Sequence, residues 1–209
     1  METATKIFPS RPEPGVPTGE DALRAGVYAL LGRLLTAPPD ADLLLRLGGL
    51  PAETGGGDEL AAAWGALGLA AGRTSPEAAA DEYQNLFIGL GRGELVPYGS
   101  WYLTGFLMEK PLAQLRRDLA RLGFNRREGV NEPEDHAGAL CEVMTMLIGD
   151  GEPASAARQQ AFFEAHMANW MGRFFNDLQG AKTGRFYRAV GQLGEAFIEV
   201  ERQYWAMPV

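Results

Sequence analysis

A helical spacing of apolar residues runs through almost the whole chain, and it restricts the possible fold more than any other feature. From Glu20 to Leu35, apolar side chains recur every three or four residues and form one broad face, which Pro38-Pro39 brings to an end. No stretch shows the strict alternation of apolar and polar residues that is typical of a half-buried β-strand. The sequence therefore predicts an all-α protein.

Capping residues, prolines and glycines divide this pattern into about eight helices. Asp40 is suited to cap a short helix that ends near Gly48-Gly49, and Ser75-Pro76 is a strong start signal. An Ala-rich helix is expected to follow Asp58. The other predicted helices span residues 20–35, 75–88, 110–122, 131–148, 154–179 and 184–205.

The length of 209 residues allows one full core. We expect residues 1–19, which contain four prolines, to form a disordered tail, and residues 20–209 to form a single helical bundle. Two subdomains joined by a hinge are an alternative, with the glycine run Gly55–Gly57 as a flexible joint.

The charge balance excludes one class of partner. With 19 basic and 27 acidic residues the net charge is −8, which argues against nucleic acid and is compatible with a basic peptide. A single cysteine precludes an internal disulfide, and no apolar run is long enough to span a membrane. The first 20 residues do not resemble a signal peptide, so a cytoplasmic location is expected.

The segment 131–148 carries the most unusual pattern. Asn131 is a good helix N-cap, Pro133 is tolerated in a first turn, and Glu134 can complete a capping box. If the helix begins there, His136 lies in the middle of its apolar stripe. Asp135 would then lie on the flank of that stripe, on the same side as Glu142.

Two interpretations of this segment follow. His136 is either a buried histidine with a local hydrogen bond, beside an Asp135 that only neutralises the helix end, or part of a functional site. In the second case Asp135, His136 and Glu142 could form an acid–base or metal cluster of a small enzyme. A metal is disfavoured because the chain has two histidines, one cysteine and no H-E-x-x-H motif. We therefore expect that the protein needs no metal or organic cofactor.

An aromatic seam is expected on the helix predicted over 154–179. Phe163, Met167, Trp170 and Phe174 share one face at helical spacing, with His166 at its edge. Core packing is the ordinary explanation of such a seam. Methionines elsewhere could line an adaptable peptide groove.

Four segments in order resemble one family. They are Glu82–Phe87, Pro97–Tyr102, Glu132–His136 and His166–Trp170. Together they are similar to the TorD/DmsD family of chaperones for molybdenum-containing redox enzymes, over roughly residues 20–205. The segment Glu132–His136 is the most specific of the four.

The resemblance implies a helical, cytoplasmic, non-enzymatic chaperone. Such a chaperone binds the twin-arginine signal peptide (the leader) of a molybdoenzyme catalytic subunit, the apo form of that subunit, or both, until the cofactor is inserted. Monomer and homodimer are both open. Carried onto this chain, the family's leader-binding surface comprises Tyr83, Leu86, Phe87, Pro97, Tyr98, Ser100, Tyr102, Glu132, Pro133, Asp135 and His136.

The chemistry of these side chains suits such a ligand. A twin-arginine leader is basic at one end and apolar beyond it. The carboxylates of Glu132 and Asp135 could accept bidentate hydrogen bonds from arginines, and the rings of Tyr83, Phe87 and Tyr98 could contact the apolar part. We therefore expect Glu132 and Asp135 to lie at the mouth of an aromatic groove, with Asp135 facing a client arginine unless it is only a helix cap.

Overall fold

The computed structural model describes residues 7–8, 19–50, 59–127, 129, 131–150 and 155–207, and its regular elements are helices joined by loops. These residues form ten α-helices and one five-residue π-helix, without a β-strand, so the all-α prediction is confirmed. None of the described helices combines the length and apolarity needed to cross a membrane. The helices are α1 (Gly19–Thr36), α2 (Ala41–Gly48), α3 (Glu59–Ala71), α4 (Pro76–Tyr83), the π-helix (Gln84–Ile88), α5 (Gly99–Thr104), α6 (Lys110–Arg121), α7 (Ala137–Ile148), α8 (Ser155–His166), α9 (Met171–Gly180) and α10 (Phe186–Ala206).

The chain divides into two compact units. The first unit comprises the residues up to Thr36 together with Pro97–Trp170, and contains α1, α5, α6, α7 and α8. The second comprises Ala37–Val96 and the residues from Met171 onward, with α2, α3, α4, the π-helix, α9 and α10. The chain thus passes between units at three points. The glycine run 55–57, expected to be a joint, lies outside the described residues.

In the first unit, α1 packs along α7. Leu31 and Leu34 of α1 are fully buried, as are Val143 and Met144 of α7. Gly32 permits the close approach of the two helices, because a Cβ atom there would lie 3.3 Å from the carbonyl oxygen of Gly138. Burial of these apolar side chains is the main source of stability for this pair of helices.

In the second unit, α10 packs against α9 and α3. The contact with α9 is very close at Gly194, where a Cβ atom would lie 2.3 Å from the ring of Phe175. Phe186 at the start of α10 and Phe197 further along it are both buried. The N-caps predicted for this unit are confirmed: Asp40 accepts from the N–H of Leu43, and Ser75 from that of Ala78.

The prediction of a single helix over residues 154–179 is wrong, because this stretch forms two helices, α8 and α9. The chain turns between α8 and α9, where the N–H groups of both Met167 and Ala168 bond to the carbonyl of Phe163. The indole N–H of Trp170 donates to the carbonyl oxygen of His166 at 2.7 Å, which satisfies one acceptor at the end of α8. The turn contains neither glycine nor proline, so the helical spacing of apolar residues in the sequence continues through it without a visible break.

The predicted N-terminal tail lies mostly outside the described residues. Ile7 and Phe8 are described, and both are buried. The backbone N–H of Arg127 donates to the carbonyl oxygen of Ile7 at 2.9 Å, and the ring of Phe8 lies 6.0 Å from that of Phe124. These two residues therefore pack as part of the first unit, since they are the apolar pair in an otherwise polar, proline-rich stretch.

Candidate functional site

Two segments of the first unit, Pro97–Tyr102 and Glu132–His136, are held together by backbone hydrogen bonds. Tyr98 and His136 form an isolated antiparallel β-bridge. The N–H of Gly99 donates to the carbonyl oxygen of Asp135 at 2.9 Å, and that of Ala137 to the carbonyl oxygen of Pro97 at 2.8 Å. Segments that are more than thirty residues apart in sequence thus form one local structure.

Asp135 reinforces this junction with its side chain. Its Oδ2 atom accepts the N–H of Ser100 at 2.7 Å, in the first turn of α5, where Tyr98 provides no side-chain cap. Asp135 is only 3% exposed, and its Oδ1 atom and the hydroxyl of Ser100 are buried without a hydrogen-bond partner. The carboxylate is therefore part of the interior of the first unit, in contrast to the expectation that it faces a client arginine.

The predicted start of α7 at Asn131 is wrong. The helix begins at Ala137, and His136 is its N-cap, with Nδ1 accepting the N–H of Gly138 at 3.1 Å. The local capping signal at Asn131 is overridden because the backbone of 135–137 bonds to the loop at Pro97–Gly99 instead. His136 and Asp135 consequently precede the helix, and their expected places on and beside its apolar stripe are wrong as well.

His136 is held in its neutral form. Burial lowers the pKa of its imidazole, and the nearby carboxylates of Glu132 and Asp135 offset only part of that effect. The ring lies 5.2 Å from that of Tyr98, edge to face. Because Nδ1 accepts a hydrogen bond from Gly138, the proton of the neutral ring is assigned to Nε2.

Glu134 has a different role from the capping box expected of it. Its Oε2 atom accepts hydrogen bonds from Nε and Nη2 of Arg116 on α6, at 3.0 and 2.9 Å. Glu134 is buried, whereas the guanidinium of Arg116 is half-exposed. This ion pair ties the turn before α7 to α6.

The exposed part of this junction is formed by Tyr98, Tyr102, Glu132 and Pro133, which we call the Tyr98–Glu132 surface. The hydroxyl of Tyr98 donates a hydrogen bond to the exposed carboxylate of Glu132. Tyr102 is half-buried, with its ring 5.5 Å from that of Trp170, and Pro133 is half-buried as well. The other predicted residues of this unit, Pro97, Ser100, Asp135 and His136, are buried.

The remaining predicted residues lie in the second unit, at the end of α4 and in the π-helix. The rings of Tyr83 and Phe87 are 5.2 Å apart, and that of Tyr187 lies 6.0 Å and 5.5 Å from them. Tyr83 and Phe87 are half-buried and Leu86 is fully buried. The predicted set is therefore divided between the two units.

Glu82 has a role that the sequence pattern did not predict. Its Oε2 atom accepts the N–H groups of Arg185 and Tyr187 at 2.7 and 3.2 Å, and Oε1 accepts that of Phe186 at 3.2 Å. Glu82 thereby caps α10, whose own N-cap residue makes no side-chain bond. The one available signal was the lack of a good capping residue directly before that helix.

The helical spacing that suggested an acid–base cluster does not apply, because Asp135 and His136 precede α7 whereas Glu142 lies within it. The carboxylate of Asp135 is bonded to the backbone of α5. Across the described ranges, no group of three or more His, Cys, Asp or Glu residues could hold a metal ion. Burial raises the pKa of the Cys141 thiol far above its usual range, so this residue is not a reactive thiolate.

Several curated proteins are similar to this chain. TorD chaperone proteins of Vibrio atlanticus (strain LGP32) and of Psychrobacter sp. (strain PRwf-1) are 28% and 30% identical to it over 135 and 136 residues. These alignments cover 60% and 61% of this chain, and 63% and 61% of the two relatives. The chain therefore matches less than two thirds of the length of these relatives.

The fold is also similar to that of a solved structure. A protein from Archaeoglobus fulgidus, described as a redox enzyme maturation protein, superimposes with a TM-score of 0.57 at 18% identity. The similarity covers 87% of this chain and 96% of that protein, and at this identity it shows the fold.

A family model matches more than half of the chain. It is the model of the nitrate reductase delta subunit, and it covers residues 55–176, which include all four of the resembling segments. The resemblance to TorD-type chaperones is thereby confirmed. The chain belongs to the nitrate reductase delta subunit family, and the curated relatives that it matches are TorD chaperones.

Proposed function

We propose that this chain is a cytoplasmic maturation chaperone for a molybdenum-containing oxidoreductase. It binds the twin-arginine leader of the catalytic subunit, the apo form of that subunit, or both, and holds it until the cofactor is inserted. In this proposal the chain is not an enzyme. Membership of the family and the chaperone names of the relatives support it.

The observation that carries the proposal is the Tyr98–Glu132 surface. Backbone bonds and the buried side chains of Asp135 and His136 fix two separate segments so that a carboxylate and two aromatic rings are presented at one place. A rigid carboxylate beside aromatic rings suits a peptide that has arginines next to apolar residues.

Glu132 is the carboxylate that we assign to the leader's arginines. It is exposed, whereas Asp135 is buried and already bonded to the backbone of α5. The hydroxyl of Tyr98 bonds to Glu132 and so orients it. Preorganisation of this kind lowers the entropy that is lost when an arginine binds.

Within the first unit, the apolar part of the leader is assigned to Tyr102, which is half-exposed and packed against the ring of Trp170. Tyr83 and Phe87 of the second unit are also half-exposed and packed against each other, and their part in leader binding stays a prediction. Each ring can therefore offer a face or edge to a ligand without a large change of conformation.

Calorimetric titration tests the proposal with the full chain and two synthetic peptides. One peptide has the twin-arginine leader of a molybdoenzyme subunit encoded in the same genome, and the other has both arginines replaced by lysine. We expect weaker binding of the lysine peptide, because lysine cannot form bidentate bonds with Glu132. The affinity of the arginine peptide should also fall with salt, since charges at the surface are screened over about 8 Å at physiological ionic strength.

Equal dissociation constants for the two peptides at all salt concentrations would contradict the assignment of Glu132. No binding of either peptide, with tight binding of the purified apo-subunit, would place recognition in the body of the client. If neither the peptides nor the apo-subunit bound, the proposed function would be rejected.

A further inference from the structure

The connection between α5 and α6 in the first unit exposes four large apolar side chains in six residues. Leu103 is 42% exposed, Phe106 69%, Leu107 46% and Met108 72%. We call these four residues the apolar tip. So dense a group of exposed apolar side chains is unusual on a protein surface and typically marks a site of contact with a partner or a membrane.

The backbone of the tip has a defined conformation. Gly105 ends α5 with a φ of +82°, and Met108 has a φ of +60°, which residues with a Cβ rarely adopt. The hydroxyl of Thr104 donates to the carbonyl oxygen of Ser100 at 2.8 Å and accepts the N–H of Phe106 at 3.2 Å. These bonds stabilise a turn after α5, and the four apolar side chains of the tip lie at the surface of this turn.

A row of basic residues follows the tip directly. Lys110, Arg117 and Arg121 lie on one face of α6, and we call them the basic stripe. The opposite face contains Leu112, Leu115 and Leu119, which are buried, so the basic stripe faces solvent. At 1.5 Å per residue the stripe extends over about 16 Å.

The charge of this region is opposite to that of the chain. Residues 103–127 contain six basic and two acidic residues, whereas the whole chain has 19 basic and 27 acidic residues. Of the two acidic residues, Asp118 is engaged by Arg121 and by His166, at 3.0 and 3.1 Å. Arg116 is paired with Glu134 and Arg121 with Asp118, so Lys110 and Arg117 carry most of the positive charge next to the apolar tip.

We infer that the apolar tip and the basic stripe form a docking surface for a membrane with anionic lipid headgroups. Apolar side chains on a reversed loop can enter the headgroup boundary of a bilayer, and basic residues beside them are attracted to anionic lipids. A twin-arginine leader is a poor occupant of this surface, because its own positive charge is repelled by the stripe. The contact is a surface association and goes beyond the proposed function.

Vesicle binding by the full chain tests this inference. Co-sedimentation is measured with vesicles of phosphatidylcholine alone and with vesicles of equal parts phosphatidylcholine and phosphatidylglycerol. We expect binding to the second type only, with a steep decrease on addition of salt. Each basic residue near the surface contributes about fivefold to such binding, so the double variant Lys110→Gln/Arg117→Gln should bind roughly 25-fold more weakly.

The double variant Phe106→Gln/Leu107→Gln tests the tip, and we expect it to bind at least about tenfold more weakly. Leu23→Gln is its matched control, because Leu23 is 73% exposed in the same unit but lies beside the acidic residues Glu20 and Asp21. We expect the control to bind vesicles as the unmodified chain does.

Other outcomes would overturn the inference. Equal binding to the two vesicle types, or unchanged binding by both double variants, would do so. If the tip variant instead weakened leader binding while no vesicle bound, the tip would belong to the leader site. A molar mass by light scattering that doubles with concentration, and no longer does so in the tip variant, would identify a second copy as the occupant. Leader binding is measured separately, so a negative vesicle result would leave the proposed function intact.

Discussion

The carboxylate of Asp135 accepts the backbone N–H of Ser100 at 2.7 Å, and this bond joins the two most distinctive segments of the first unit. Ser100 lies in the first turn of a short helix that has no side-chain cap of its own. Asp135 acts as that cap from a distance of 35 residues in sequence. From its buried position, Asp135 thereby supports the half-buried Tyr98 and the exposed Glu132.

Asp135→Ala should destabilise the protein more than Asp135→Asn. Alanine leaves the buried N–H of Ser100 without an acceptor, which typically costs about 1–3 kcal/mol, whereas the amide oxygen of asparagine can still accept this bond. Denaturant unfolding of both variants measures the difference in free energy of unfolding. An equal loss in the two variants would show that the negative charge matters more than the acceptor.

Glu132→Gln should weaken leader binding and leave stability unchanged. The change removes the charge that we assign to the leader's arginines, so we expect an affinity about tenfold lower by calorimetry. Because Glu132 is exposed, the free energy of unfolding of the protein should change by less than about 0.5 kcal/mol. Tyr98→Phe is the comparison variant: it keeps the charge and removes only the hydroxyl bond that orients Glu132, so it should weaken leader binding less than Glu132→Gln does. Normal leader affinity in Glu132→Gln would remove this residue from the site.

Helical class and most helix positions could be predicted because they depend on local spacing and capping. The caps at Asp40 and Ser75 were found because each side chain bonds to an N–H three residues ahead. The turn at Met167–Trp170 could not be predicted, because it is stabilised by the indole of Trp170 bonding back to His166. No residue in that turn breaks a helix by its own conformational preference.

The arrangement of the residues in the candidate site could not be predicted from the sequence. Asn131 is a suitable N-cap when only its neighbours in sequence are considered. The backbone at Asp135 and Ala137 bonds instead to Gly99 and Pro97, and such long-range bonds cannot be recognised from a local sequence pattern. The same long-range bonds bury Asp135 and leave Glu132 exposed. Tertiary structure therefore determines which of the two carboxylates, Asp135 or Glu132, is accessible to a ligand.

Glu82→Ala should destabilise the second unit. Its carboxylate accepts three backbone N–H groups at the start of α10, and loss of a helix cap usually costs about 1–2 kcal/mol. The exposed neighbour Asp81→Ala is the matched control and should change stability little. Hydrogen exchange of the amides of residues 185–187 would report the effect locally. Unchanged exchange in Glu82→Ala would mean that water replaces the carboxylate without cost.

Replacement of glycine by alanine should have opposite effects at two helical positions. Within a helix, alanine is favoured over glycine by about 1 kcal/mol. At Gly26 on the exposed side of α1 no atom lies within 4 Å of an added Cβ, so Gly26→Ala should stabilise the protein. At Gly194 the Cβ would lie 2.3 Å from the ring of Phe175, so Gly194→Ala should destabilise it by about 1–3 kcal/mol. Thermal unfolding measures both, and a raised melting temperature in Gly194→Ala would show that α9 and α10 can separate at little cost.

The stability of the protein should decrease as the pH falls below about 6.5, and His136 should be one cause. Burial lowers the pKa of His136 in the folded protein, whereas in the unfolded chain it titrates near 6.5. In the range between these two values the unfolded state binds the additional proton, so acidification favours unfolding. Burial lowers the pKa of His166 in the same direction, although its bond to Asp118 opposes this.

Protonation of His136 would also break its cap of α7, because Nδ1 could no longer accept the N–H of Gly138. His136→Asn tests this contribution, since asparagine is a good N-cap that does not titrate. Between pH 6.5 and 5.5 we expect the free energy of unfolding of the unmodified protein to fall more steeply than that of the variant. The difference between the two slopes has an upper limit of about 1.4 kcal/mol per pH unit, the value for one proton. Measurement of the slope separates this effect from any cavity left by the ring, which would shift the stability of the variant equally at every pH. Parallel curves for the two proteins would show that His136 titrates alike in the folded and unfolded states, and would assign the acid sensitivity to His166.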